Sequence, residues 1–178
     1  MFVGVLVGCT SSYQGTVTPH FDGSKFSNHG YIKESSVTGY LWLRLTDSQA
    51  PWPDGVPVAP QPVPPQRVDD GTARVTFVGH ATVLIQVAGI NIITNPIWSD
   101  RASMFSFAGP KRVTDPGVNF EALPPIGVVL ISHNHYDHLD LQTLRRIDAL
   151  DKARVLVPLG NRPLVADAMP ASKASEHD

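Results

Sequence analysis

The chain has 178 residues, of which 42% are hydrophobic and 17% are charged, a composition typical of a single globular domain. A net charge of -2 and an isoelectric point near 6.4 exclude the strongly basic surface that a nucleic-acid partner requires.

The first nine residues resemble a bacterial lipoprotein signal. The single cysteine, Cys9, follows Leu6, Val7 and Gly8 at the position that such a signal acylates. The alternative is a free thiol near a hydrophobic terminus. The apolar run 2–7 is short and has no basic residues before it, so we expect the true start codon to lie upstream of Met1. We therefore expect a lipid-anchored chain in the bacterial cell envelope, and a cytoplasmic location otherwise.

Composition divides the chain into three parts: 1–18, a lipoprotein-like signal and tether; 19–66, an arm and connector; and 67–178, the main domain. Within the arm, residues 40–45 are apolar enough to form a helix or strand that docks on the core. Seven prolines between positions 51 and 65 predict an extended connector. The alternative is a Pro-rich ligand for another domain.

Three short segments predict a β-meander, residues 74–78, 81–87 and 90–93, because they are β-rich and separated by turn residues. Gly79 and His80 lie between the first two segments. We consider two roles for His80: a hydrogen-bonded group beside a metal site, or a histidine with a structural role alone.

A long loop, residues 95–125, follows the meander. Loops of this length without regular structure are often lids or binding loops. Lys111 and Arg112 within it are candidates for binding a phosphate group, since arginine presents a bidentate fork to such oxygens. The alternative is that both are solvated surface charges.

The densest set of ligand-type residues follows the apolar run 128–131 and comprises His133, His135, Asp137 and His138. Imidazole and carboxylate are ligands that zinc prefers when thiolate is absent, and zinc with an open position supports hydrolysis. If residues 128–132 form a strand, His133 and His135 point to one side and hold one ion. Asp137 and His138 then face a second ion, and each ion still needs a further ligand. The alternative is a His-rich turn without metal.

The segment after this cluster predicts a βαβ order. Apolar residues at 141, 144, 147 and 150 indicate an amphipathic helix capped by Asp140. Residues 154–157 return as a strand, and Pro163 begins a last short helix toward Met169. We expect His177 to lie in a frayed polar terminus, with metal binding as the alternative.

Four ordered motifs, in residues 77–85, 94–103, 109–112 and 133–140, resemble the metallo-β-lactamase superfamily. Within it they look most like the N-acyl-phosphatidylethanolamine-hydrolysing phospholipases D and their bacterial relatives. The resemblance covers residues 19–178. It implies an α/β fold, an αββα sandwich, with a centre of two zinc ions.

By this resemblance, His133 and His135 hold one zinc, and Asp137 and His138 hold the other. The resemblance also implies that a metal-bound hydroxide attacks the phosphorus of a phospholipid diester. Asp137 is expected to be both a metal ligand and the catalytic residue. The substrate is thus a phospholipid or another small molecule, and a lactone-cleaving member of the same superfamily is the alternative.

The chain departs from the family pattern in two respects. Asn95 stands where the family has the Asp of a T-D-P motif, which we expect to slow turnover without abolishing metal binding. An ordinary turn-forming Asn is the alternative. The family's remaining metal ligands lie further downstream, so residues 67–178 are expected to be the N-terminal half of the hydrolase domain. The rival hypothesis is a catalytically silent fragment, or a subunit completed by a C-terminal half from a second chain.

Overall fold

The fold is built on one six-stranded β-sheet, seen in a computed structural model that describes residues 13–27, 36–47, 53–170 and 172–178. The strands lie in chain order across the sheet: β1 Ala73–Gly79, β2 Thr82–Val87, β3 Ile90–Thr94, β4 Val128–Leu130, β5 Arg154–Pro158 and β6 Lys173–His177. The pairs β1–β2 and β2–β3 are antiparallel, while β3 to β6 run parallel. The predicted α/β fold class is therefore confirmed. Cys9 lies outside the described residues.

The predicted meander is confirmed within one residue at most strand ends. Ala88 and Gly89 connect β2 to β3 with φ values of 49° and 74°. Two positive φ angles in succession are what a type I′ hairpin turn requires, and this turn matches the right-handed twist of the strands. The Ala-Gly pair therefore sets the register in which Val87 pairs with Ile90.

Two helices cover one face of the sheet. Helix α2, Leu141–Leu150, connects β4 to β5, and helix α3, Arg162–Ala166, follows β5. Leu144 and Ile147 of α2 belong to the same buried cluster as Val129 and Val155 of the central strands. The helix and strand predicted after the ligand cluster are thus confirmed, and the 3-10 helix Phe120–Ala122 is the one further regular element described in the loop before β4.

Strand β6 differs from the expected frayed terminus. Its sequence, Lys-Ala-Ser-Glu-His, lacks the β-branched and aromatic residues typical of strands. It nevertheless pairs in parallel with β5, from Arg154 opposite Lys173 to Pro158 opposite His177. The prediction was wrong because an open strand edge provides hydrogen-bond partners that no local pattern reveals.

Helix α1, Val37–Thr46, forms in the arm, but its apolar side chains do not dock on the core. The exposed fractions of its large apolar side chains range from 50% at Leu41 to 83% at Leu45. The prediction of docking is therefore wrong for the described part of the chain. None of the described helices combines the length and hydrophobicity needed to cross a bilayer.

The Pro-rich connector is extended, as predicted, and is held against the domain by hydrogen bonds. Gln86 and Asn91 are buried and lie opposite each other on β2 and β3. Their side-chain nitrogens donate to the carbonyl oxygens of Pro65 and Gln66 at 2.7 and 3.0 Å. Because proline lacks an N–H group, this end of the connector is bound through its carbonyls. Earlier in the connector, the backbone N–H groups of Val56 and Gln61 donate to the carbonyls of Val113 and Gly117.

Asp140 connects the loop after β3 to the start of α2. Its Oδ1 accepts from the backbone N–H groups of Gln142 and Thr143, which caps the helix as predicted. Its Oδ2 accepts from the Thr143 hydroxyl and from the backbone N–H groups of Trp98 and Ser99. One buried carboxylate therefore fixes both the helix start and the entry to the long loop.

We predict that Asp140→Ala lowers the free energy of unfolding by about 3 kcal/mol, because it removes a helix cap and leaves buried N–H groups without an acceptor. Urea denaturation measures the effect. The control is Asp167→Ala, an exposed residue at the end of α3, which should change the free energy by less than about 0.5 kcal/mol. Equal losses in the two variants would contradict this account.

Candidate metal centre

The ligand cluster lies where the parallel strands end. Strand β4 ends at Leu130, and the chain then runs without regular structure through Ser132 and the four ligand-type residues to α2. The prediction of a strand reaching residue 132 is therefore wrong, and strand alternation does not orient His133 and His135. Their rings are nevertheless neighbours, with centroids 4.7 Å apart. The carboxyl ends of parallel strands are the usual place for ligand sites in such sheets.

Asn95 holds the backbone at the start of this loop. Its Oδ1 accepts from the backbone N–H of Ser132 at 2.8 Å and from the Ser132 hydroxyl at 3.2 Å. Its own N–H donates to the Leu130 carbonyl at 2.8 Å. Asn95 has a φ of 37°, in the left-handed region that asparagine adopts more readily than most residues. We expected Asn95 to lie near the metals and to influence turnover. In the structure its side chain contacts Ser132, the residue directly before the candidate ligand His133.

Ser132 also contacts the imidazole rings of two candidate ligands. Its hydroxyl oxygen lies 2.9 Å from His133 Nδ1 and 3.5 Å from His138 Nδ1. If the hydroxyl donates to Asn95, it accepts from the His133 ring, whose Nε2 is then unprotonated and free to bind a metal. The chain Asn95, Ser132, His133 thus favours the tautomer that a ligand needs.

The candidate ligands form two groups that share one carboxylate. His133, His135 and Asp137 make up the first group, and His80, Asp137 and His138 make up the second. Within each group, the potential ligand atoms all lie within 4.8 Å of one another. Four of these residues are the predicted ligands, which the structure brings close together, and their division between two ions stays a prediction. The donor atoms and their spacing fit a metal centre.

Electrostatics favours the metal-binding forms of two ligands. Burial raises the pKa of Asp137, but its own backbone N–H, the charges of His138 and His80 and the hydrogen bond from His80 together lower it below its ordinary value. Burial lowers the pKa of His138, His133 adds to the effect, and Asp137 opposes it only in part. Near neutral pH, Asp137 is therefore ionised and His138 is neutral, as metal binding requires.

The two basic candidates in the long loop differ in their surroundings. Arg112 donates from Nη2 to the Ile97 carbonyl at 2.8 Å and from Nε to the Ser99 carbonyl at 3.4 Å. Burial lowers its pKa, against the attraction of Asp100. Arg112 therefore holds the loop, and its guanidinium fork is occupied by backbone. Lys111 is exposed and lines the cleft beside the ligand cluster.

Four of the five candidate ligands line a cleft of about 1860 Å³: His80, His133, His135 and Asp137. One wall comes from the arm, where the Phe21 ring lies 4.9 Å from Tyr13 and 4.6 Å from Phe26. The arm is held beside the strand ends by Tyr13, which packs close to Gly160, and by His20, whose Nδ1 is 3.1 Å from Asp178 Oδ1. No sequence pattern predicts this wall, because aromatic residues in an irregular segment have no periodicity. His177 also lines the cleft but belongs to neither ligand group.

Comparisons with known proteins identify the family. A family model described as a beta-lactamase superfamily domain matches residues 90–178. The chain is 48% identical over 86 residues to N-acyl-phosphatidylethanolamine-hydrolyzing phospholipase D 1 of Caenorhabditis elegans, which covers 48% of this chain and 24% of that protein. It is 41% identical over 107 residues to an uncharacterized protein of Mycobacterium tuberculosis, covering 58% of this chain and 29% of that one.

Two further similarities are more distant. The mitochondrial N-acyl-phosphatidylethanolamine-hydrolyzing phospholipase D of Saccharomyces cerevisiae is 34% identical over 85 residues, covering 48% of this chain and 18% of that protein. Among solved structures, CmlA, a diiron beta-hydroxylase from Streptomyces venezuelae, matches 60% of this chain and 20% of its own with a TM-score of 0.43 and 26% identity. The chain thus spans between 18% and 29% of the length of these curated relatives.

We predict that Asn95→Ala weakens zinc binding by about 10- to 100-fold. The substitution removes the hydrogen bonds that hold Ser132, and Ser132 in turn orients the His133 ring. Asn95→Asp keeps the acceptor oxygen and tolerates the positive φ, so its affinity should stay within about threefold of the wild type. Competition with a chromophoric chelator measures both, and circular dichroism confirms that the variants fold. Unchanged affinity in Asn95→Ala would refute the anchoring role.

Proposed function

Because the chain belongs to the beta-lactamase superfamily, we propose that it carries the metal-binding part of a zinc-dependent hydrolase, a phosphodiesterase of phospholipase D type. The observation that carries the proposal is the pair of ligand groups sharing Asp137 at the edge of the cleft. His133, His135, Asp137 and His138 all lie within the matched residues 90–178. Two relatives are named as N-acyl-phosphatidylethanolamine-hydrolyzing phospholipases D, which supports a phospholipid substrate.

The residues of the chain have distinct roles in this proposal. His133 and His135 hold one ion and Asp137 and His138 the other; zinc, when bound, supplies positive charge for phosphoryl oxygens and a water that ionises near neutral pH. Ser132 orients the His133 ring, and the exposed ammonium of Lys111 attracts the phosphate into the cleft. The same oxygen and nitrogen donors accept manganese, iron or cobalt, so metal identity is a quantity to measure.

The cleft suits a substrate with a polar and an apolar end. Its polar floor carries the ligand cluster, and its aromatic wall carries Phe21 and Phe26. An N-acyl-phosphatidylethanolamine would place its phosphodiester at the floor and an acyl chain along the wall. The oxygen of water would form a bond to phosphorus while the bond from phosphorus to the ethanolamine oxygen breaks. A proton of the water would pass to that leaving oxygen, giving phosphatidic acid and an N-acylethanolamine.

We also propose a second layer on the uncovered face of the sheet. Val75, Ile85 and Ile92 form one apolar row across that face, and Phe77 and Val83 begin the next. The exposed fractions of Val75 and Phe77 are 67% and 58%, and an apolar surface of this kind is rarely left in water. The second sheet of an αββα sandwich, from further chain or from another polypeptide, would cover it. Lipid anchoring at Cys9 and an envelope location remain predictions.

The apolar face should make the chain self-associate in the absence of such a layer. We predict that Val75→Lys/Phe77→Lys shifts the chain toward a monomer in light scattering, because two charges interrupt the apolar rows. The control is Arg145→Glu/Lys152→Glu, which changes charge at exposed positions away from that face. A wild-type chain that is already monomeric at high concentration would contradict the expectation.

The central test measures metal content and hydrolysis together. Plasma mass spectrometry should find about two zinc ions per wild-type chain and a clear loss in His133→Ala/His135→Ala. The wild type should release N-acylethanolamine from N-acyl-phosphatidylethanolamine, and a chelator should stop the reaction until zinc is restored. Metal binding without hydrolysis would favour the catalytically silent chain. Cleavage of a lactone in place of the phosphodiester would overturn the substrate class.

A further inference from the structure

We infer that His80 is a direct ligand of the second metal ion, beside Asp137 and His138. The inference rests on the metal centre proposed above, and adds a ligand that comes from a hairpin turn 57 residues before Asp137. Among the described residues, His80 adds a third donor to the group that contains Asp137 and His138. Three protein donors with one open position are typical of a catalytic zinc.

The turn that carries His80 is fixed and strained. His80 and Ala81 form the connection between β1 and β2, where the strand register shifts between Phe77 and Gly79. His80 has a φ of 51°, a value that few residues other than glycine adopt. The Thr94 hydroxyl donates to the Ala81 carbonyl at 2.8 Å and so holds the turn from β3. Backbone strain retained in a well-anchored turn is often found at functional sites.

Distances between donor atoms match those around a zinc ion. His80 Nε2 lies 3.1 Å from Asp137 Oδ2, and His138 Nε2 lies 3.6 Å from the same oxygen. Ligands at 2.0 to 2.1 Å in a tetrahedral arrangement are separated from one another by about 3.3 Å. The two observed separations lie on either side of that value. The potential ligand atoms of His80 and His138 lie within 4.8 Å of each other, so side-chain rotations can bring the three residues to ligand distance.

A shared Asp137 makes the two groups compatible. A carboxylate has two oxygens, each with its own lone pairs, and can serve two ions at once. With His133 and His135 on one side and His80 and His138 on the other, each ion has three protein donors. The ring of His80 also lies beside that of His138, with centroids 5.1 Å apart.

The rival role for His80 is a hydrogen bond that orients Asp137. A ring nitrogen that binds a metal uses its lone pair and carries no proton, so His80 Nε2 cannot donate to Asp137 and bind zinc together. Substitution of His80 by glutamine therefore distinguishes the two roles. The glutamine amide nitrogen can donate a hydrogen bond from a similar position but is a poor zinc ligand. Asparagine is too short for either role, yet it tolerates the positive φ.

The experiment compares the full chain with His80→Gln, His80→Asn and His177→Ala. The last is a matched control, because His177 lines the same cleft but its Nε2 lies 2.9 Å from Ser175 Oγ and it belongs to neither ligand group. Zn²⁺ alone is titrated in competition with a chromophoric chelator, and Co²⁺ absorption reports the ligand environment of each ion. Circular dichroism establishes that every variant is folded.

We expect both His80 variants to weaken binding of the second ion by more than about 100-fold while the first ion remains, since loss of a direct ligand should exceed the 10- to 100-fold cost of an outer partner. His177→Ala should stay within about threefold. Binding restored to within about tenfold by His80→Gln, but not by His80→Asn, would overturn the inference in favour of orientation. Equal binding in all variants would also overturn it and leave the proposed function intact. A wild type that binds no zinc would instead refute the proposed function itself.

Discussion

The hydrogen bonds from Ser132 to the side chain of Asn95 tie the end of β4 to the end of β3, directly before the first ligand. A chain leaving a strand has two free dihedrals per residue, and fixing each residue costs about 1–2 kcal/mol of conformational entropy. Asn95 supplies an acceptor at the point where the ladder stops, so the loop begins in a set direction. Beneath it, Leu84, Ile93 and Val129 are fully buried and hold both strands in place. The start of the ligand loop therefore depends on these hydrogen bonds to Asn95, supported by the core.

Around this contact, the sheet brings together residues that are far apart in the chain. The turn between β1 and β2 provides His80, and the loop after β4 provides the other donors. Asp140 fixes the opposite end of that loop through the start of α2 and the backbone of Trp98 and Ser99. With both ends of an eight-residue interval held, three imidazoles and a carboxylate can be kept close to one another before any metal arrives. Such preorganisation reduces the cost of ordering ligands on binding.

The environment of the cluster is compatible with the proposed amphiphilic substrate. Burial lowers the pKa of His138, and the neighbouring imidazoles with a backbone N–H lower the pKa of Asp137 against the effect of its burial, so both side chains favour the protonation forms that bind metal. The aromatic wall formed by Tyr13, Phe21 and Phe26 lies on the same cleft, and Arg112 keeps the intervening loop in place through backbone carbonyls. The outer face of the sheet remains apolar, which is consistent with a partner layer in the proposed assembly.

The sequence alone determined the features that depend on local chemistry: the meander, helix α2 with its Asp140 cap, the ligand types and the likeness to a family. These follow from periodicity, turn residues and donor identity, which act over a few neighbouring positions. Tertiary structure decided the rest. Strand β6 forms because β5 offers an open edge, although Lys173 to His177 have weak strand propensity. His80 joins the second ligand group, and Arg112 turns inward to the backbone, because the folded sheet sets their neighbours. Contacts between distant segments are properties of the packed chain, and no short stretch of sequence contains them.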